Sequence, residues 1–332
     1  MQKITQKMLI DKAVSLLENG TVTKVLGWME GEFKYDVSPF IFKTKEEIEK
    51  GFVFNTFCGA NVSKYLVKET KKDEGKILVF LKPCDTYSFN QLVTENRIKK
   101  ENVYVVGIPC DGMMDISKVK EISGDGIIDI EFKDNSINVK TLYDTDKEIA
   151  LADALLERCS NCKSKKCVYY DELMGENGTV IDSNRFDEVE KLEKMSEEER
   201  FNFWQNELSR CIRCNACRDI CPACTCEKCV FDNPKSGVEN KAIADSFEEK
   251  MFHIIRAFHV AGRCTDCGEC SRVCPQNIPL HLLNRKFIKD INTFYGDYQA
   301  GEEIGNRAPL VDYTLSDIEP SEGVMKGDEE DA

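Results

Sequence analysis

Two short cysteine runs constrain this chain more than any other feature of its sequence. Residues 211–222 read CIRCNACRDICP, and residues 264–275 read CTDCGECSRVCP. Both have the spacing C-x2-C-x2-C-x3-C-P, which is typical of segments that bind a pair of [4Fe–4S] clusters. The first cysteines of the two copies lie 53 residues apart. The pattern therefore predicts a segment built around two cubane clusters, which take up and release single electrons.

The same spacing predicts how the clusters share their ligands. The first three cysteines of such a run surround one cluster, and the fourth, before proline, lies too far round the loop and binds the other. The expected sets are Cys211, Cys214, Cys217 and Cys274 for one cluster, and Cys264, Cys267, Cys270 and Cys221 for the other. Zinc is the competing ligand for any C-x2-C pair, but zinc sites usually separate two cysteine pairs, which this pattern does not do.

Three more cysteines follow the first run at once, in the sequence CPACTCEKC. They are Cys224, Cys226 and Cys229. Three thiols within six residues suit metal binding, as ligands of a further cluster or of zinc. The remaining alternative is that they are spare thiols without a metal.

The first half of the chain has its own group of cysteines. Cys159, Cys162 and Cys167 lie in a polar loop with the sequence CSNCKSKKC, one thiol short of the four that a cube needs. Cys110, at the end of the apolar stretch VVGIPC, is the best candidate for the fourth ligand. Cys84 also closes an apolar stretch, and Cys58 follows one, so each is either a ligand or a small buried apolar residue.

Apolar periodicity in residues 1–145 predicts an α/β module with a parallel sheet. Residues 77–81 (ILVFL) and 103–108 (VYVVGI) are typical of buried strands, and residues 85–95 between them favour a helix. This is a βαβ unit, so its two strands should pair in parallel. The carboxyl ends of parallel strands meet at one edge of the sheet, where Cys84 and Cys110 should lie close together. Asp85 and Asp111 are expected to cap the helices that follow.

Helical patterns dominate the second half of the sequence. Residues 196–209 and 246–260 favour helices, the second with an apolar stripe between the two cysteine runs. His253 on that helix is either a structural histidine or a hydrogen-bond donor towards a cluster. We predict four segments: residues 1–145 as the α/β module, 146–200 as a cysteine loop and linker, 201–295 as a mainly α-helical dicluster domain, and 296–332 as an acidic tail.

Composition narrows the class of protein. The net charge of −14 argues against binding to nucleic acid, which requires a basic surface. No run of about 18 apolar residues is present, so we expect no membrane span. The sequence has 17 cysteines but lacks the apolar core of a signal peptide at its start. Free thiols are maintained in reducing compartments, which predicts a cytoplasmic protein.

The cysteine-bearing stretches resemble a known family. ILVFLKPCDTYSFNQLVTENRIKKENVYVVGIPCDGMMD and the later CSNCKSKKC are similar to the β subunits of coenzyme F420-reducing hydrogenase and F420-linked formate dehydrogenase. The stretch from RCIRCNACRDICP to CTDCGECSRVCPQNIPL resembles the dicluster domain that bacterial members carry after that module. The resemblance covers roughly residues 10–295 and implies a module cluster held by Cys110, Cys159, Cys162 and Cys167.

The resemblance also implies a function and partners. Members of this family are iron–sulfur subunits, some with FAD, that accompany a catalytic hydrogenase, formate dehydrogenase or heterodisulfide-reductase-like protein. We therefore expect an electron-transfer subunit of an anaerobic oxidoreductase complex, with a soluble ferredoxin or flavoprotein as a further partner. Two alternatives remain: a flavin enzyme that itself reduces a two-electron acceptor such as a deazaflavin, and a structural adaptor that docks partners.

Overall fold

The computed structural model describes residues 4–72, 74–143, 146–181, 184–232 and 246–309. The acidic tail predicted for residues 296–332 therefore lies mostly outside the described residues. In the described part of the chain, no helix is long and apolar enough to cross a membrane.

The first half alternates helices and strands in the way that its apolar periodicity predicts. In chain order its elements are α1 (Gln6–Glu18), β1 (Lys24–Glu30), β2 (Val37–Phe42), α2 (Lys45–Gly51), α3 (Ser63–Glu69), β3 (Ile77–Leu81), α4 (Pro83–Thr94), β4 (Val103–Gly107) and α5 (Ile116–Ser123). Thr44 caps α2 with a capping box, in which its side chain and that of Glu47 each accept the other residue's backbone N–H.

Of the four later strands of the first half, one joins the strands above and three form a sheet of their own. The remaining elements are β5 (Ile127–Phe132), β6 (Ser136–Thr141), β7 (Lys147–Ala150), α6 (Glu157–Ser160) and β8 (Glu172–Leu173). One sheet has the order β2-β1-β3-β4-β8, in which only β1 and β2 are antiparallel. The second sheet is the antiparallel meander β5-β6-β7.

The parallel pairing of β3 and β4 positions the first group of cysteines. The register joins Ile77 to Val103 and Leu81 to Gly107, so both strands end at the same level. Every side chain of β3 is buried, and β4 is nearly so, because helices cover both faces of the sheet. As predicted from the sequence, the segments that begin at Lys82 and Ile108 leave the same edge of the sheet.

The predicted roles of two aspartates as helix caps are wrong. Helix α4 begins at Pro83, whose fixed φ suits a first helical position, so Asp85 lies within the first turn. Its carboxylate is fully buried 2.8 Å from the equally buried Lys82 ammonium group, which also lies 4.6 Å from the centre of the Trp28 ring. The cap of α5 is Asp115, since Asp111 lies four residues before it in the connecting loop.

The described residues of the second half include six helices and the two cysteine loops. Its elements are α7 (Asp187–Lys194), α8 (Glu197–Ser209), α9 (Ala216–Asp219), α10 (Ser246–Val260), α11 (Glu269–Arg272) and α12 (Leu280–Tyr295). Helices α8 and α10 have the bounds that the sequence predicts to within one residue. Both α8 and α12 pack against α10.

Candidate metal centres

The two cysteine loops have the same backbone course. In the first loop Arg213 and Asn215 have φ angles of 54° and 62°, and the equivalent Asp266 and Gly268 in the second have 55° and 65°. Alternation of left-handed and right-handed residues turns successive backbone N–H groups towards one centre and forms a concavity suited to an anion. A one-turn helix follows in each copy, α9 in the first and α11 in the second.

One four-thiol site lies around the first loop. A cavity of about 340 Å³, partly open to solvent, is lined by Cys211, Cys214, Cys217 and Cys274. The first three come from the first run and the fourth comes from the second. We call these four cysteines the outer site, because Cys214 is exposed whereas Cys217 is buried.

A second four-thiol site lies around the second loop. Burial, together with the charges of Asp266 and Cys221, raises the pKa of Cys264 to about 12. Burial and the charge of Cys221 also raise the pKa of Cys267 and that of Cys270. Cys221 of the first run is therefore close to all three cysteines of the second loop. We call these four cysteines the middle site.

The raised thiol pKa values bear on what the sites can bind. A thiol in apolar surroundings keeps its proton, and it becomes a thiolate only when a nearby cation compensates the charge. Iron supplies such a charge, and its binding releases the thiol protons. Groups of four thiols that include the buried Cys217, Cys267 and Cys270 therefore fit a metal-cluster site better than they fit an ordinary protein core.

His253 provides a hydrogen bond to the outer site. Its Nε2 atom lies 3.3 Å from Cys211 Sγ, and its ring is 2% exposed. Burial and the charges of Arg256 and Arg213 lower the pKa of His253 to about 3, so the ring is neutral at physiological pH. A neutral ring with its proton on Nε2 donates to the cysteine sulfur. Of the two roles considered for His253 from the sequence, this geometry favours the hydrogen bond towards a cluster.

A third cavity holds cysteines of the first half. It encloses about 480 Å³, partly open to solvent, and its lining includes Cys84, Cys110, Cys159 and Cys162. We call these four cysteines the inner site. Cys84 and Cys110 come from the segments that leave β3 and β4 at one sheet edge, and Cys159 and Cys162 come from α6 and the loop after it. Three cations, Arg158, Lys163 and Lys165, also line the cavity.

Cys167, which the sequence assigned to this group, does not line the cavity. Its sulfur is buried 3.9 Å from the Ile108 carbonyl oxygen, and its backbone N–H donates to the Asn177 side chain at 2.8 Å. Cys84 lies in the cavity instead. The signal for Cys84 was present in the sequence, because the sheet-edge argument places it beside Cys110. Cys58 is a fully buried thiol of the main core.

The cysteines that follow the first run do not share one environment. Cys224 lies beside Cys221 of the middle site, close enough for each thiol to affect the pKa of the other. The Lys64 ammonium group donates to the carbonyl oxygens of both residues. Cys226 is exposed and Cys229 is half-buried.

Buried polar contacts join the inner site to the middle site. Arg158 lines the inner cavity, and its guanidinium group donates to the carbonyl oxygens of Gly59 and Cys267 and pairs with Glu269. Lys163 lines the same cavity and donates to the Thr265 carbonyl oxygen. No sequence pattern pointed to Arg158, because its partners lie about a hundred residues away.

A network of ion pairs fixes α6 against α12. Glu157 lies 2.6 Å from Arg285 and 3.4 Å from His281 Nε2, and Arg285 also pairs with Asp266 at 2.9 Å. Burial alone would raise the pKa of Glu157, but His281 and Arg285 lower it to about 2. The network therefore attaches the helix that carries Cys159 to the second half of the chain.

The second half of the chain matches a known family model. Residues 207–278 match the model described as a 4Fe-4S dicluster domain. This segment contains all the cysteines of the outer and middle sites.

Curated relatives align with most of the chain. The chain is 26% identical over 336 residues to a protein of Methanocaldococcus jannaschii named F420-dependent formate dehydrogenase subunit beta. The alignment covers 82% of this chain and 86% of the relative. It is 25% identical over 362 residues to the F420-dependent formate dehydrogenase 1 subunit beta of Methanococcus maripaludis. That alignment covers 89% of this chain and 92% of the relative.

A solved structure shows a weaker likeness. A chain in the structure titled xenon derivatization of the F420-reducing [NiFe] hydrogenase complex from Methanosarcina barkeri matches at 15% identity and a TM-score of 0.37, covering 63% of this chain and 91% of that chain. The curated alignments and the family match together confirm the predicted resemblance: this chain is similar over most of its length to F420-dependent formate dehydrogenase β subunits and carries a 4Fe-4S dicluster domain.

Proposed function

We propose that this chain is an iron–sulfur electron-transfer subunit of a hetero-oligomeric oxidoreductase, and that another subunit carries out the catalysis. One observation supports the proposal most strongly: Cys221 and Cys274, the fourth cysteines of the two runs, each lie at the opposite loop. This exchange holds two four-thiol sites side by side in one small segment. The names of the aligned relatives, β subunits of formate dehydrogenases, support a role beside a catalytic subunit.

The donor sets fit [4Fe–4S] clusters. Each of the outer and middle sites gathers four cysteines with the spacing that is typical of cubes, and soft thiolates are the ligands that iron–sulfur clusters take. Bound cubes supply one-electron redox chemistry. The protein contributes the concave loops, the His253 donor beside Cys211 and buried cations that offset the anionic thiolates.

For the inner site we propose Cys84, Cys110, Cys159 and Cys162 as the ligands. They line one cavity, whereas Cys167 faces the end of β4 from outside it. Arg158, Lys163 and Lys165 at the cavity would offset the charge of four thiolates. This set replaces Cys167 of the sequence-based prediction with Cys84.

We further propose that the three sites form one line, with the middle site at its centre. Asp266 of the second cysteine loop lines the inner cavity, and Arg158 spans from that cavity to the Cys267 carbonyl oxygen. On the other side, Cys221 and Cys274 interleave the middle and outer sites. The outer site, with exposed Cys214, is then the end nearest to an external partner.

Other predictions from the sequence stand as parts of this proposal. They are the four segment boundaries, the mainly helical character of the dicluster domain, a cytoplasmic location in keeping with free thiols, and a metal role for Cys224, Cys226 and Cys229. The binding of flavin, and a soluble ferredoxin or flavoprotein as a further partner, are also parts of the proposal. Each awaits a measurement of its own.

The first experiment is anaerobic purification of the full chain from its native source, with iron, acid-labile sulfide and flavin measured on the product. Three cubes require about 12 irons per chain, and two require about 8. About 12 irons together with a large redox protein in fixed ratio would support the proposal. A lone chain that contains flavin and turns over a soluble two-electron acceptor would favour the enzyme alternative.

A further inference from the structure

Each of the two junctions in the proposed line of sites contains one buried arginine. Arg256, on α10, is 4% exposed, and Arg158, on α6, is 7% exposed. Both donate to the backbone carbonyl oxygen of a cluster-loop cysteine, Arg256 to Cys217 at 2.9 Å and Arg158 to Cys267. Neither residue has the free access to water that would screen its charge.

Arg256 lies between the outer and middle sites. The charged groups close enough to act on it include Cys217, which belongs to the outer site, and Cys221 and Cys270, which belong to the middle site. Among the residues that the structure describes, no carboxylate forms an ion pair with Arg256. The guanidinium group is therefore a buried cation close to thiols of both sites.

Arg158 has the corresponding position between the inner and middle sites. It lines the inner cavity, and the charges that act on it include those of Cys84, Cys159 and Cys267. Glu269 pairs with it but also binds Arg272, whose Nε and Nη2 atoms lie 2.8 and 2.9 Å from the two carboxylate oxygens. One carboxylate is thus shared by two guanidinium groups, and the junction keeps a net positive charge.

We propose that Arg256 and Arg158 are buried cations, each of which raises the reduction potentials of the two sites that it separates. This inference rests on the proposed function. Reduction adds an electron to a site that already holds anionic thiolates, and a buried cation nearby stabilises the added charge. The middle site faces both arginines, so both should act on it, whereas the inner and outer sites should each respond to one.

The test is an EPR-monitored redox titration of the anaerobic full chain and of the variants Arg256→Met and Arg158→Met. Arg256→Met should lower the potentials of the outer and middle sites and leave the inner one unchanged. Arg158→Met should lower the potentials of the inner and middle sites and leave the outer one unchanged. The signals are assigned with Cys217→Ser for the outer site, Cys270→Ser for the middle site and Cys162→Ser for the inner site.

Two control variants separate charge from structure. Arg256→Lys keeps the charge and should restore most of the shift. Arg218→Met removes a charge next to Cys217, but Arg218 is already paired with Asp219 and Asp232, so the potentials should move much less. Lys163→Met, at the same junction as Arg158, should lower the same two potentials and takes the place of Arg158→Met should that variant not bind iron.

The outcomes distinguish this inference from the proposed function. About 12 irons in the unaltered chain, with potentials that do not move in the arginine variants, would overturn the inference and leave the electron-transfer role standing. Equal shifts of all three potentials, or equal effects of Arg256→Met and Arg256→Lys, would also overturn it. An unaltered chain without cubes would overturn the proposed function itself.

Discussion

At the scale of single residues, the half-buried Cys84 and the buried Cys167 are a pair of thiols that flank the end of the main sheet. Cys84→Ser removes a proposed ligand of the inner site, so we expect a loss of about four irons per chain. Cys167→Ser should keep its iron, because that sulfur faces the Ile108 carbonyl oxygen rather than the cavity. Iron and sulfide analysis after anaerobic purification measures both. Retention of iron in Cys84→Ser with a loss in Cys167→Ser would restore the set predicted from the sequence.

The hydrogen bond from His253 to Cys211 gives a second prediction at this scale. His253→Phe removes the donor and should lower the potential of the outer site, because hydrogen bonds to the sulfur stabilise the more negative reduced state. A net hydrogen bond of about 1 kcal/mol corresponds to a shift of about 40 mV for one electron. His259→Phe on the exposed face of the same helix is the control. Equal potentials in His253→Phe and the unaltered chain would contradict the role of the hydrogen bond.

Some residues of the candidate sites could be predicted from the sequence, and others could not. The proposed ligand sets of the two loops follow from local spacing, because both runs have the same short cysteine pattern. Cys84 needed only the rule that parallel strands end at one edge. Arg158 could not be found in this way, since it meets Gly59 and Glu269 only after the two halves pack together.

At the scale of elements, the exchange of fourth cysteines between the two loops makes a direct prediction. Cys274 follows the second loop but lies in the outer cavity. Cys274→Ser should therefore change the EPR spectrum in the same way as Cys217→Ser, which belongs to the other run. A spectrum that instead matches that of Cys270→Ser would show that each run binds its own cube.

The elements themselves were predictable to the extent that they are apolar and continuous. Strand β3 has the predicted bounds because residues 77–81 are uniformly apolar and buried. Strand β8 has only two residues, Glu172 and Leu173, and is defined by its pairing with β4. A strand this short has no local sequence pattern that could predict it. The error at Asp85 has a different cause: a buried Lys82 partner outweighed the general preference of aspartate for a capping position.

At the scale of the whole molecule, buried ion pairs hold the two halves together. Glu269 is fully buried and holds Arg158 of the first half and Arg272 of the second. Glu269→Gln removes the charge that both guanidinium groups share, and the loss of one partner from a buried pair typically costs about 3–5 kcal/mol. We expect a clear drop in the urea midpoint, followed anaerobically by circular dichroism.

Glu95→Gln is the matched control for that experiment. Glu95 pairs with Arg263 across the same two halves, but both side chains are partly exposed to water. Because water partly screens this pair, we expect a smaller loss of stability than for Glu269→Gln. Equal losses of stability in the two variants would show that Glu269 is not a special point of attachment.

The two cysteine loops share a backbone course but are no longer interchangeable. At position 268 an added Cβ would lie 2.8 Å from Arg158 Cβ, whereas the equivalent Asn215 keeps its side chain in the same left-handed conformation. Exchange between the copies should therefore be tolerated in one direction only. Asn215→Gly leaves the outer loop intact, and Gly268→Asn displaces Arg158. The two copies thus share their cysteine spacing, but the second copy requires glycine at position 268, where it packs against Arg158, and the first copy has no such requirement at position 215.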